Sequence, residues 1–141
     1  MTTRRTILLL LPLACGLAAG CGDSRTAPVS GRVTLNGKPL PNASVTFAPV
    51  GGKGNVEPGP SSAGKTDADG RYTLELIGQD GRGAVIGKHK VMIALVDEKR
   101  DDDDSPDRLK QLPLKYNGQT TLEFEVPAGG TDKADFDLKV P

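Results

Sequence analysis

Apolar and polar residues alternate with a period of two in several short runs along this chain, and clusters of Gly, Pro, Asn and Asp separate the runs. Successive side chains of a strand point to opposite faces, so each run predicts a half-buried strand rather than a helix. The stretch Thr66-Asp67-Ala68-Asp69-Gly70-Arg71-Tyr72-Thr73-Leu74-Glu75-Leu76 shows the grammar most fully. Asp67 and Asp69 are each placed to bond backbone amides two residues on, and Gly70 accepts the positive φ that closes such a turn cheaply. Tyr72, Leu74 and Leu76 then fall on one side, with Thr73 and Glu75 on the other.

The remaining runs follow in order. Val29 to Leu35 puts Val29, Gly31, Val33 and Leu35 on one face. It ends at Asn36-Gly37, a strong hairpin signal because both residues tolerate positive φ. Ala43 to Ala48 is expected to return with Val45 and Phe47 inward. Pro49 to Pro60 is rich in Gly and Pro and reads as a long loop, a place where a partner could be contacted. His89 to Val96 is the most apolar run, with Val91, Ile93 and Leu95 alternating against Lys90, Met92 and Ala94. That composition predicts a central strand covered on both faces. Asp97 to Arg108 is a hydrophilic excursion. Leu112 to Tyr116 is confined by Pro113 to an edge or irregular segment. Thr120 to Val126 and Lys133 to Val140 complete a set of about seven strands, with Leu122, Phe124, Val126, Ala134, Phe136, Leu138 and Val140 inward.

The first twenty residues are of another kind. Arg4 and Arg5 precede an apolar run from Ile7 to Leu17, and Ala18-Ala19-Gly20 leads into Cys21. Basic, apolar and small segments in that order make a secretory signal. The run is too short for a membrane-spanning helix, which needs about 20 residues. Leu17-Ala18-Ala19-Gly20-Cys21 resembles the lipobox of bacterial lipoproteins, although Ala18 stands where that family prefers Leu. The resemblance implies cleavage before Cys21 and acylation of its sulfur and its new amine, so that Cys21 becomes a membrane anchor. Two or three acyl chains hold a protein stably where one does not. Gly22 in place of an Asp favours an outer-membrane destination, by the sorting rule of the enterobacterial members. Thr3-Arg4-Arg5-Thr6-Ile7-Leu8 is also similar to a twin-arginine signal, but the short basic region and dense Leu run favour the ordinary unfolded route. The expected organisation is therefore a signal peptide at 1–20, an acylated Cys and polar tether at 21–27, and one domain at 28–141.

Composition adjusts this picture in three ways. There is no Trp, with only two Tyr and three Phe, so the core must be mostly Val, Leu and Ile. The 18 Gly and 11 Pro suit a fold with many turns. The formal charge is zero and falls to −2 once Arg4 and Arg5 leave with the signal. A domain so nearly neutral, without a basic patch, offers nothing to a nucleic-acid backbone.

Three motifs now carry a resemblance for the domain itself. Val29-Ser30-Gly31-Arg32-Val33 with Asn36-Gly37-Lys38-Pro39-Leu40, then Ala43-Ser44-Val45-Thr46-Phe47, then Thr66 to Tyr72, together look like the carboxypeptidase regulatory-like domain. Gly87-Lys88-His89-Lys90-Val91, Leu112 to Tyr116 and the Phe136-Asp137-Leu138 ending are similar to small bacterial lipoproteins that consist of little else. The resemblance spans about residues 28–140 and implies an all-β, Greek-key β-sandwich of the transthyretin-like kind. It is mute about activity, because fold does not dictate function.

Candidate chemistry is sparse. His89 is the only histidine and is expected at a sheet margin; no nucleophile elbow accompanies it, and one His with one acylated Cys cannot assemble a zinc site. The transthyretin-like fold includes hydroxyisourate hydrolase, whose family shows several active-site His and a Tyr-Arg-Gly-Ser terminus. This chain ends Asp137-Leu138-Lys139-Val140-Pro141, so no enzyme and no cofactor are expected. Asp67-x-Asp69-Gly70 matches the opening of a calcium loop, but Gly78 stands where the bidentate Glu belongs, and the turn reading suffices. Asp101, Asp102, Asp103 and Asp104 form an acidic run with the charge to attract calcium, partly offset by Lys99, Arg100 and Arg108. Of the aromatics only Tyr116 is expected to be free for stacking on a carbohydrate. These observations lead to an exported, lipid-anchored envelope protein with a structural or accessory domain and envelope-protein partners. The alternative is a calcium- or ligand-binding or adhesion module using loops 97–107 and 49–60.

Overall fold

The computed structural model describes residues 25–52, 58–96 and 112–141. Among them it forms eleven strands and no α-helix: β1 Thr26–Ala27, β2 Ser30–Leu35, β3 Lys38–Pro39, β4 Ala43–Pro49, β5 Ser62–Lys65, β6 Arg71–Thr73, β7 Glu75–Leu76, β8 Ala84–Val85, β9 Gly87–Leu95, β10 Glu123–Val126 and β11 Phe136–Leu138. The all-β expectation therefore holds. The strands exceed the expected seven because the 66–76 run divides between two sheets and short strands form at Thr26–Ala27, Lys38–Pro39, Ser62–Lys65 and Ala84–Val85.

One sheet has the order β10-β9-β4-β5-β7. Its spine is the β4/β9 pairing, in register from Ala43↔Leu95 to Pro49↔His89. Val45, Phe47, Val91 and Ile93 all point inward and are fully buried, each such side chain contributing about 1.5–3 kcal/mol. β9 is central, as expected, but its outer face is not covered: Lys90 is exposed and Met92 and Ala94 are half-buried. An antiparallel sheet needs only one apolar face.

The other sheet is built on β2. β11 lies parallel along one edge, Phe136↔Val33 to Leu138↔Leu35. β6 and β3 share the opposite edge, with Gly31↔Tyr72 and Leu35↔Lys38 as registers. Asn36 and Gly37 take φ of 49° and 80°, the two positive values of a type I′ turn. The hairpin they close is only two residues deep, however, and Ala43–Pro49 does not return along β2. Pro39 and Pro41 lack the amides a longer ladder would use. Asn42, at φ 55°, then redirects the chain into the first sheet, where the Ala43 amide donates to Thr66 Oγ1 at 2.8 Å.

The stretch from Thr66 to Leu76 ties the two sheets together. β6 pairs with β2 and β7 with β5, so one alternating run changes sheet at Leu74. Leu74 is fully buried at the crossing; its amide donates to Val29 O at 2.9 Å and its carbonyl accepts from Gly83 N at 2.7 Å. The inner faces meet through aromatic rings. Phe136 of the β2 sheet lies 6.1 Å from both Phe47 and Phe124 of the β9 sheet, centroid to centroid, a spacing worth about 0.5–1.5 kcal/mol per pair beyond burial. Gly31 is a close approach of backbones: a Cβ there would stand 2.0 Å from Ala134 O.

A two-stranded ribbon, Thr26↔Val85 and Ala27↔Ala84, closes one end of the molecule. Ala27 is 2% exposed and belongs to the core. Thr26 and Ala27, which the sequence assigns to the tether, are thus already folded chain.

Candidate functional site

Cys21 and Asp101, Asp102, Asp103 and Asp104 lie outside the described residues, as does the whole 97–107 segment; of the 49–60 loop, 49–52 and 58–60 are described. The turn residues Asn36, Gly37, Asp67, Asp69 and Gly70 are all placed. Asp67 Oδ1 accepts from the amides of Asp69 and Arg71, both at 2.9 Å, while the Gly70 amide donates to its carbonyl. This is an Asx turn, and it uses the carboxylate on backbone donors. The expected second bond, from Asp69 to an amide two residues on, does not form, because the Arg71 amide is already taken by Asp67. Instead the Asp69 carbonyl accepts from Arg32 Nε at 2.9 Å. Among the described residues no three His, Cys, Asp or Glu side chains gather to hold a metal ion.

Beside this turn lies an open groove of about 680 Å³, floored by β2 and β6. The register places Arg32 opposite Arg71 and Ser30 opposite Thr73. Two guanidinium groups side by side repel, and the groove answers them with carboxylates: Asp67, Asp132 and Asp135 line it together with Arg32, Arg71 and Lys65. Asp135 Oδ1 also accepts the Arg32 amide at 2.8 Å. Three cations against three carboxylates leave no net formal charge, so the groove offers alternating donors and acceptors rather than a field for one ion. Tyr72 closes its floor. Its hydroxyl donates to Ala134 O at 2.5 Å, and burial, together with the nearby Asp135 charge, raises its pKa above the ordinary tyrosine value. No sequence motif marks the groove, since it arises only when β2 and β6 pair.

His89 is not at a sheet margin. It is fully buried on the inner face of β9, 5.6 Å from the Phe47 ring. Its Nδ1 is 3.0 Å from Gly87 O; a carbonyl only accepts, so Nδ1 carries the proton and donates. Nε2 is buried without a hydrogen-bond partner. Burial lowers its pKa, and the Gly87 carbonyl opposes that shift only in part. The signal for this placement was present, because His89 shares the parity of Val91 and Ile93.

Tyr116 is likewise not free for stacking. It lies in a short 3₁₀ helix, Leu114–Tyr116, and is 8% exposed. Its hydroxyl donates to Lys139 O and accepts from Lys139 N, both at 2.9 Å, pinning the chain beyond β11. No family model matches this chain, and comparison with curated proteins and with solved structures also finds no match.

Proposed function

We propose that the protein is exported, anchored by acylation of Cys21, and serves in the cell envelope as a non-catalytic structural or accessory domain. The two sheets are then those of a Greek-key, transthyretin-like sandwich of the carboxypeptidase regulatory-like kind. The observation that carries the reading is the spacing between anchor and fold. Ala27, six residues beyond Cys21, is already part of the core, so a lipobox-like motif stands directly before a folded unit. The only imidazole of the chain supports the non-catalytic part of the reading, because His89 packs inside the core, where no substrate reaches it.

The test is labelling in cells of the expressing organism. Wild-type protein takes up a palmitate analogue, and Cys21→Ser abolishes the label and accumulates uncut precursor. A Cys21→Ser protein that still matures and stays on membranes contradicts the anchor.

The polar groove favours one second reading, a binding module. Its balanced charges suit an extended polar ligand better than calcium. Calorimetric titration of the detergent-solubilised protein with calcium separates the versions: heat that disappears when Asp101–Asp104 are replaced by Ser assigns calcium to the acidic run, and absence of heat removes it.

A further inference from the structure

The two ends of the molecule gather different elements. β9 runs from Gly87 to Leu95, a length of about 30 Å, and its registers sort the other elements between its ends. At the Gly87 end lie Pro49 and Val126, paired near His89 and with Gly87. The Val50 amide donates to Lys88 O at 2.8 Å, the Ile77 amide to Ser61 O at 2.9 Å, and the Ile86 amide to Arg25 O at 2.8 Å. This end therefore holds Arg25, four residues from Cys21. At the Leu95 end lie Asn42, Thr66 and the entry to the acidic segment, since the Val96 amide donates to Asn42 O.

Three large exposed apolar side chains lie at the first of these ends. Among the described residues there are five: Ile77 is 51% exposed, Val50 40% and Ile86 36%, all at the Gly87 end, while Val96, 38% exposed, lies at the Leu95 end and Leu114, 61% exposed, in the 3₁₀ helix. Ile77 sits on an exposed turn and Ile86 at the mouth of the β1/β8 ribbon. Between them runs the segment at Gly59, close to the Val85 side chain. Exposed Arg25 and Arg82 flank the belt, and Asp80 shares the Ile77 turn. What sets this end apart is that its exposed apolar side chains adjoin Arg25, four residues from Cys21.

We infer that this end, with Ile77, Ile86 and Val50, rests on the lipid surface, and that the Leu95 end with the acidic run points away from it. The inference rests on the anchoring of Cys21 proposed above. An acylated Cys21 sits at the level of the headgroups, and four residues of chain span at most about 14 Å in any conformation. The Ile86 amide donates to the Arg25 carbonyl, so Ile86 stays within about that reach of the anchor. A tether so short also gives the domain an effective concentration at the surface in the mM range. Contacts far too weak to bind a free protein then suffice to seat it, with side chains entering the boundary between headgroups and acyl chains. The occupant of the apolar end is the bilayer that carries the anchor. The β2/β6 groove, on the side of the molecule, remains open to soluble partners.

The chain has no Trp, so one introduced Trp reports one position. Full-length acylated protein carrying Ile77→Trp, Ile86→Trp, Val96→Trp or Leu114→Trp is reconstituted into phosphatidylethanolamine and phosphatidylglycerol vesicles doped with lipids brominated near the headgroup. Trp at 77 and 86 is expected to lose about half its emission and shift to the blue, as for a side chain at the acyl boundary. Trp at 96 and 114 is expected to be unaffected. Ile77→Trp lies in an exposed turn and keeps the test open if Ile86→Trp disturbs the ribbon. Vesicle-bound protein whose Trp at 77 is unquenched, or whose Trp at 96 is quenched, overturns the orientation and leaves the anchor standing. Protein that carries no acyl group and stays off the vesicles overturns the anchor, and the orientation with it.

Discussion

The two sheets of this protein are held by different means. The β9 sheet relies on side chains: long registers, strict alternation, and an inner face of Val, Ile and Phe at full burial. The β2 sheet relies on the backbone and on polar side chains that reach it. Gly31 lets the chain at Ala134 approach, Tyr72 donates to the Ala134 carbonyl, and Asp135 accepts the Arg32 amide. A cavity should therefore hurt the first sheet most, and an added atom or a lost hydrogen bond the second.

Phe47→Ala should be the largest effect. Phe47 touches His89, Phe124 and Phe136 across both sheets, and its truncation should cost about 3–5 kcal/mol in urea unfolding. Gly31→Ala tests the other sheet. Its new Cβ meets backbone at 2.0 Å, which no rotamer change relieves, and a loss of about 3 kcal/mol is expected. If Gly31→Ala is neutral, β2 and the backbone at Ala134 do not meet as described. Tyr72→Phe removes one hydrogen bond and leaves the Ala134 carbonyl without its donor, for about 1–2 kcal/mol.

The smallest effect concerns His89 and is a slope rather than a loss. Its folded pKa lies below the ordinary 6.5, so near and below that value the unfolded chain binds a proton that the folded one refuses. Stability from this group is complete above pH 6.5 and declines as pH falls toward the lowered folded value. Melting temperatures between about pH 7 and pH 5 should fall in the wild type and fall less in His89→Phe. Equal slopes would mean that the imidazole is not buried as a neutral group.

The difference between the sheets also explains what could be read from the sequence. Alternation through Val45, Phe47, Val91 and Ile93 exposed the β9 sheet directly, because parity alone decides which side chains are buried. The turns at Asn36-Gly37 and Asp67 to Gly70 were equally legible, since their conformations depend on local residue chemistry. The partner of each strand was not. Nothing local says that Ala43–Pro49 leaves β2 for β9, or that a single run divides at Leu74; those choices depend on two prolines, Asn42 and the closure of the other sheet. The Arg32/Arg71 groove was invisible for the same reason, being a product of pairing between residues far apart in the chain. His89 was misjudged because polarity was weighed above parity, and Tyr116 because it lies in a 3₁₀ helix that no alternation marks. Both bury their rings and satisfy one or more polar atoms with backbone, at Gly87 and Lys139.

The account depends most on what stands at the mature amino terminus. Intact-mass and fragment mass spectrometry of the protein purified from its own membranes should find the chain beginning at Cys21, carrying a thioether-linked diacylglycerol and an acylated amine. A mature chain that begins elsewhere, or a Cys21 with a free thiol, would contradict the anchoring and the placement of the domain against the bilayer.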